Sequence, residues 1–205
     1  MKKILLWSEM AIVYTGVPVV LWCYPGPRLL VLAIWAVCGV CLIYLLRGRS
    51  FDRRLLHAWA AANWTALFCR GAVIIGLLAV YTVVFEPQHF ARLVREDTAR
   101  WALLMLLYPV LSVLPQELIY RAFFFHRYRA LFASERSMVL ANAAFFAFGH
   151  IIFRNGAAVA VSFAVGLLWA GTYLRSRSLP AVTIEHALYG NLAFTLGLGD
   201  NLLVL

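Results

Sequence analysis

The sequence predicts an all-α fold, a polytopic bundle of transmembrane helices, and three observations carry that prediction. Hydrophobic residues make up 64% of the 205-residue chain and mean hydropathy is +0.84. That is more apolar surface than one soluble core of this length can hide. Apolar runs recur along the whole chain at close to the ~20 residues that a helix needs to cross hydrocarbon. The formal charge of +9 comes mostly from Arg gathered between those runs, a placement that reads as membrane orientation and lipid headgroup contact. It excludes a nucleic-acid-binding role, in which basic residues would form one continuous patch.

The spans are expected near residues 8–23, 29–46, 71–85, 101–114, 138–153, 157–174 and 179–196, about seven in all. The first follows Met1-Lys-Lys as a signal peptide would, but Glu9 and Pro18 interrupt it and no small-x-small cleavage site follows, so it reads as a retained span. The second is followed by Arg47-Gly-Arg-Ser-Phe-Asp-Arg-Arg54, which the positive-inside rule places in the cytoplasm. The basic runs Arg127–Arg136 and Arg175-Ser-Arg177 then fall on the same side, with the N-terminus inside and the C-terminus outside. Residues 55–69 and 86–100 mix apolar and charged side chains and are expected as one or two interfacial helices. There is no repeat and no soluble segment: residues 1–205 read as a single integral membrane domain, with its chemistry in a core of about residues 101–196.

Ionisable and amide side chains inside that core need a reason, because each costs roughly 2.5–3.5 kcal/mol in hydrocarbon. Gln116, Glu117 and Arg121 sit in Pro115-Gln-Glu-Leu-Ile-Tyr-Arg121, His150 in Phe146-Ala-Phe-Gly-His150, and His186 and Asn191 in Glu185-His-Ala-Leu-Tyr-Gly-Asn191. Glu117 and Arg121 stand four apart on one helical face, where each lowers the other's cost of immersion. A carboxylate beside an imidazole can activate water, and a second imidazole with an amide can stabilise the developing oxyanion. The expected partners are therefore membrane lipids and a membrane-associated peptide or protein.

Other chemistries have weaker support. Cys38-Gly-Val-Cys41 has redox spacing, but it lies mid-span with no polar neighbour to stabilise a thiolate. Gly197-Leu-Gly-Asp200 has the spelling of an aspartic intramembrane protease, yet Asp52 and Asp97, the only other aspartates, lie outside the spans. No Gly-x-Ser-x-Gly or His-Glu-x-x-His is present. No metal or other cofactor is expected; the alternative is Zn²⁺ held by Glu117, His150 and His186 with an open position for water. His126 and Glu135, among Arg residues, read as surface.

The three motifs, in this order on apolar helices, resemble the CAAX-protease and bacteriocin-processing family of intramembrane glutamic endopeptidases, which includes the type II CAAX prenyl endopeptidases. Its members carry an acidic pair followed by Arg, then Phe-x-x-x-His, then His-x-x-x-Asn. The resemblance implies an intramembrane endopeptidase in a bacterial cytoplasmic membrane, acting on a prepeptide or on a protein with a C-terminal anchor. It places Glu117 in the second acidic position, expected to support the site and pair with the Arg. From the residues present, Glu117 with His150 is expected to activate water, and His186 with Asn191 to polarise the scissile carbonyl. Arg121 orients Glu117, Gln116 positions substrate or water, and Phe146 belongs to the second motif. Two departures stand out. The family's water-activating acid is Gln116 here, so either Glu117 takes that role or hydrolysis is lost and the chain is a binding, immunity or scaffold protein. Asn191 comes five residues after His186 instead of four, about 140° further round an ideal helix. A π-bulge at Gly190 would return it; Tyr189 and Asn142 are the other candidate donors, and Glu185 is the reserve carboxylate.

Overall fold

The computed structural model describes residues 2–59 and 62–198. The architecture is helical throughout them, and six helices are long and apolar enough to cross a membrane: α1, Lys3–Cys23; α2, Pro27–Arg47; α3, Trp64–Phe85; α4, Thr98–Arg127; α5, Glu135–Phe153; and α6, Gly156–Ser176. A seventh, α7, Leu179–Leu196, has 18 residues. Glu185, His186 and Asn191 dilute its apolar character, which is why it falls short of the other six. Apolar side chains such as Leu32, Val40, Leu77, Val80, Leu106 and Leu140 point outward, as a surface facing acyl chains requires. The chain is an integral, multi-pass membrane protein.

The span expected near 101–114 does not end at Leu114. Instead α4 runs for 30 residues, about 45 Å at 1.5 Å per residue and longer than a ~30 Å hydrocarbon layer. It passes Pro109 and Pro115 by widening into π-turns at Pro109–Val113 and Leu118–Phe123. Proline has no N–H for the carbonyl four residues earlier, and no water is present at membrane depth to replace it. Neighbouring helices supply the donors. Asn191 Nδ2 donates to the Met105 carbonyl, four before Pro109, at 3.1 Å, and Trp35 Nε1 donates to the Leu111 carbonyl, four before Pro115, at 3.1 Å. In the second π-turn the Ile119 carbonyl accepts from Tyr14 Oη at 2.8 Å and the Tyr120 carbonyl from Asn142 Nδ2 at 2.7 Å. Each irregularity of α4 is thereby fastened to α7, α2, α1 or α5.

Two further contacts fix α1. Tyr14 is fully buried among Tyr120, Phe124, Tyr128 and Phe145, with ring centroids 5.1–5.9 Å away. Glu9 accepts from Arg127 Nη2 at 2.6 Å, Arg127 Nε at 2.9 Å and Tyr128 Oη at 3.0 Å. The acid that interrupts the first span is thus the partner of an Arg at the end of α4. Between α5 and α6, Gly166 admits the Ala143 backbone: a Cβ there would lie 3.2 Å from Ala143 Cα. Small residues at such a contact let two membrane helices approach closely.

The three basic loops meet at one end, where Asp52, His126, Arg129, Glu135 and Arg177 line a shared cavity of about 340 Å³. His126 and Glu135 therefore face this cavity. The expected interfacial helices are smaller than anticipated. Among the described residues of 55–69, the end of the 3₁₀ turn Arg53–Leu56, Trp59 and the first turns of α3 are helical, and Asn63 caps α3 at the Ala66 N–H, which starts it seven residues earlier than expected. Of residues 86–100, Arg92–Glu96 is a short helix and Asp97 caps α4 at the Arg100 N–H. Asp200 lies outside the described residues.

Candidate functional site

On a helix adjacent side chains diverge by 100°, and this decides what the Gln116-Glu117 pair does. Glu117 turns inward and is fully buried with Arg121. Its Oε2 accepts from Arg121 Nε at 3.0 Å, and its Oε1 from His186 Nδ1 at 2.8 Å. Arg121 Nη1 donates to Asn142 Oδ1, and the guanidinium lies 5.2 Å from the Phe146 ring centroid. A carboxylate only accepts, so His186 carries its proton on Nδ1 here, and in the neutral ring Nε2 accepts. That acceptor faces Tyr108 Oη at 3.2 Å. Trp169 stacks on the imidazole at 3.8 Å between centroids and 21° between planes. Both nitrogens and one face of His186 are occupied.

Gln116 faces the other way. It lines a cavity of about 120 Å³ between α1, α2, α4 and α5, together with Ser112, Tyr120, Gly149 and His150. Its Nε2 donates to Ser112 Oγ at 2.8 Å, which leaves the amide oxygen for a ligand. His150 stands on the 3₁₀ turn that ends α5. Its Nδ1 donates to the Phe146 carbonyl at 2.7 Å. The neutral ring then carries its lone pair on Nε2, the form a general base needs. The remaining wall is apolar, from Val13, Val17, Leu21, Ile34 and Leu111 among others.

The expected pairings change accordingly. Glu117 bonds to His186 and not to His150, because the α4 face that carries Gln116 to the cavity carries Glu117 toward α7. Phe146 touches both imidazoles, 4.7 Å from His150 and 5.8 Å from His186. Asn191 donates to Met105 and not to the site. No π-bulge forms at Gly190, since α7 is regular from Leu179 to Leu196. Asn142 holds Arg121. Glu185 belongs to a second buried cluster: it accepts from Arg70 Nε and Tyr189 Oη, each at 3.0 Å, while Arg70 also reaches Thr172 Oγ1 at 2.9 Å. Glu117 and His186 are engaged with each other, and among the described residues no three His, Cys, Asp or Glu side chains group as metal ligands.

The comparisons bear on these helices. Residues 98–192 match a family described as type II CAAX prenyl endopeptidase Rce1-like, a range that takes in every motif residue from Gln116 to Asn191. The match covers a little under half of the chain. No curated protein and no solved structure matches the chain. The matched range runs from the start of α4 through most of α7, and α1 and α2 close the cavity on its outer side. Four neighbours of the site went unmarked in the sequence: Tyr108, Ser112, Tyr120 and Trp169 resemble ordinary core or packing residues. Arg70 carried a signal, an ionisable group in an apolar run, but the expected third span began just after it.

Proposed function

We propose that the chain is a membrane-embedded endopeptidase that hydrolyses a peptide bond of a membrane-associated protein or prepeptide, with the reaction in the Gln116–His150 cavity. The observation that carries this reading is His150 itself: its Nδ1 proton is tied to a backbone carbonyl, so its Nε2 is the base, in a cavity whose Gln116 and His150 lie in the range that matches the Rce1-like family. Water held by the Gln116 amide oxygen gives its proton to Nε2 and attacks the scissile carbonyl; the imidazolium then returns that proton to the amine nitrogen as the C–N bond breaks. The Tyr120 hydroxyl, on the same wall, is the donor for the oxyanion. Glu117 acts through His186 and Arg121 as the buried anchor of the wall, not on water. The apolar lining suits an aliphatic segment leaving the bilayer, such as a C-terminal anchor. The basic loops suit the cytoplasmic membrane of a bacterium.

A second reading follows from the lining: no carboxylate is among the residues around this cavity, and an amide cannot serve as a base. The chain would then bind a membrane segment without cleaving it, as an immunity or scaffold protein. Proteoliposomes carrying a pool of anchored peptides separate the two. Cleavage by the natural protein supports the endopeptidase, and Gln116→Glu, which adds a carboxylate beside His150, should accelerate it. An inert natural protein that gains cleavage on Gln116→Glu would establish the binding reading.

A further inference from the structure

Position 190, four after His186, is where the resembled family's spacing places an Asn amide, and it is Gly190 here. A Cβ built on Gly190 would overlap the hydroxyl and ring of Tyr108. The glycine therefore forms a notch on α7, and a side chain from α4 fills it. Within the notch Tyr108 sets its hydroxyl 3.2 Å from His186 Nε2. Its ring packs edge-on against His186 and Phe194, at 6.2 and 5.0 Å between centroids. Two further bonds hold this turn of α4 against α7: Asn191 Nδ2 to the Met105 carbonyl at 3.1 Å, and Trp101 Nε1 to Thr195 Oγ1 at 3.0 Å.

We propose that Tyr108, seated by Gly190, is a positioning residue that fixes the ring of His186. Its hydroxyl donates to Nε2 while Glu117 accepts from Nδ1, and this pair of bonds fixes one tautomer and one ring orientation. The residue five along, Asn191, is thereby free to serve the backbone of α4. Proline 109 directly follows Tyr108 and removes the N–H that the Met105 carbonyl would have received, so the two roles are coupled through one turn of helix. The assignment rests on the endopeptidase reading for its effect on rate, but not for its effect on His186.

The test uses the full chain, with ¹⁵N-labelled histidine, in lipid nanodiscs, and the His186 resonances assigned by their loss in His186→Gln. Tyr108→Phe keeps the ring and removes the hydroxyl. It should shift the His186 Nε2 resonance and, through Phe146, which packs on both His186 and His150, lower kcat on anchored peptides by about tenfold with little change in KM, the effect of one hydrogen bond. Gly190→Asn alone forces Tyr108 out of its notch and should be as slow or slower. Tyr108→Ala combined with Gly190→Asn restores an amide at four-residue spacing and should recover rate relative to either single variant. An unchanged His186 spectrum in Tyr108→Phe overturns the proposal whatever the protein cleaves. A shifted spectrum in a protein that cleaves nothing leaves Tyr108 as the partner of His186 and removes the endopeptidase reading instead.

Discussion

A carboxylate and a guanidinium buried in a membrane protein hold their charges only while each is paired. Glu117 has Arg121 on one oxygen and His186 on the other; Arg121 has Glu117, Asn142 and the Phe146 face. Removing one member leaves the other charge buried without compensation, at a cost of about 3–5 kcal/mol. Arg121→Met is therefore predicted to lower stability by that amount, measured by unfolding in detergent micelles. Glu117→Leu with Arg121→Met, which removes both charges, should recover much of the loss. Retained stability in Arg121→Met alone would show that Glu117 is not held as described. Activity follows a different pattern at this scale, because Gln116 and His150 hold no charge for the fold. Substitutions there should leave the unfolding transition within about 0.5 kcal/mol, as is usual away from core networks.

At the scale of one element, α4 is a helix whose defects are repaired by other helices. Pro109 denies the Met105 carbonyl its usual donor, and Asn191 replaces it. Asn191→Ala should cost about 1–3 kcal/mol by leaving that carbonyl unpaired. In a Pro109→Ala background, where an N–H is available again, the same substitution should cost much less. A thermodynamic cycle over the two sites reads the coupling, and additive losses would contradict the pairing. The same element shows what sequence alone can give. Helical periodicity and apolarity locate α4, and the four-residue spacing of Glu117 and Arg121 gives their pairing. Which of Gln116 and Glu117 faces the cavity is not in the sequence, because that depends on how α4 is rotated by two π-turns and by its contacts with Tyr14, Trp35 and Asn142. Asn191 read as a site residue for a related reason: its polar group in a span needed a partner, and a proline 82 positions earlier in sequence supplied the vacancy. Gly190 read as the place for a π-bulge, whereas it is a notch for Tyr108, a contact between distant helices that spacing along the chain does not reveal.

For the whole molecule, the basic loops expected on one side of the membrane do converge at one end, around the cavity lined by Asp52, Arg129 and Arg177. Single cysteines at Ser50, Ser134 and Arg175, all exposed, in a background with Cys23, Cys38, Cys41 and Cys69 replaced, should all be labelled from the cytoplasmic side and none from the other. Labelling of Ser134→Cys from the opposite side would break the arrangement of α4 and α5. Such a bundle places Gln116 and His150 in a small apolar cavity and shields Glu117 and His186 behind it. The most direct measurement of that division is the rate at which His150→Ala cleaves an anchored peptide in proteoliposomes, compared with the natural protein at equal folded content. Loss of a general base predicts a fall of about 10²–10⁴-fold with an unchanged unfolding transition. A His150→Ala protein that cleaves at the natural rate would place the chemistry elsewhere and contradict the account.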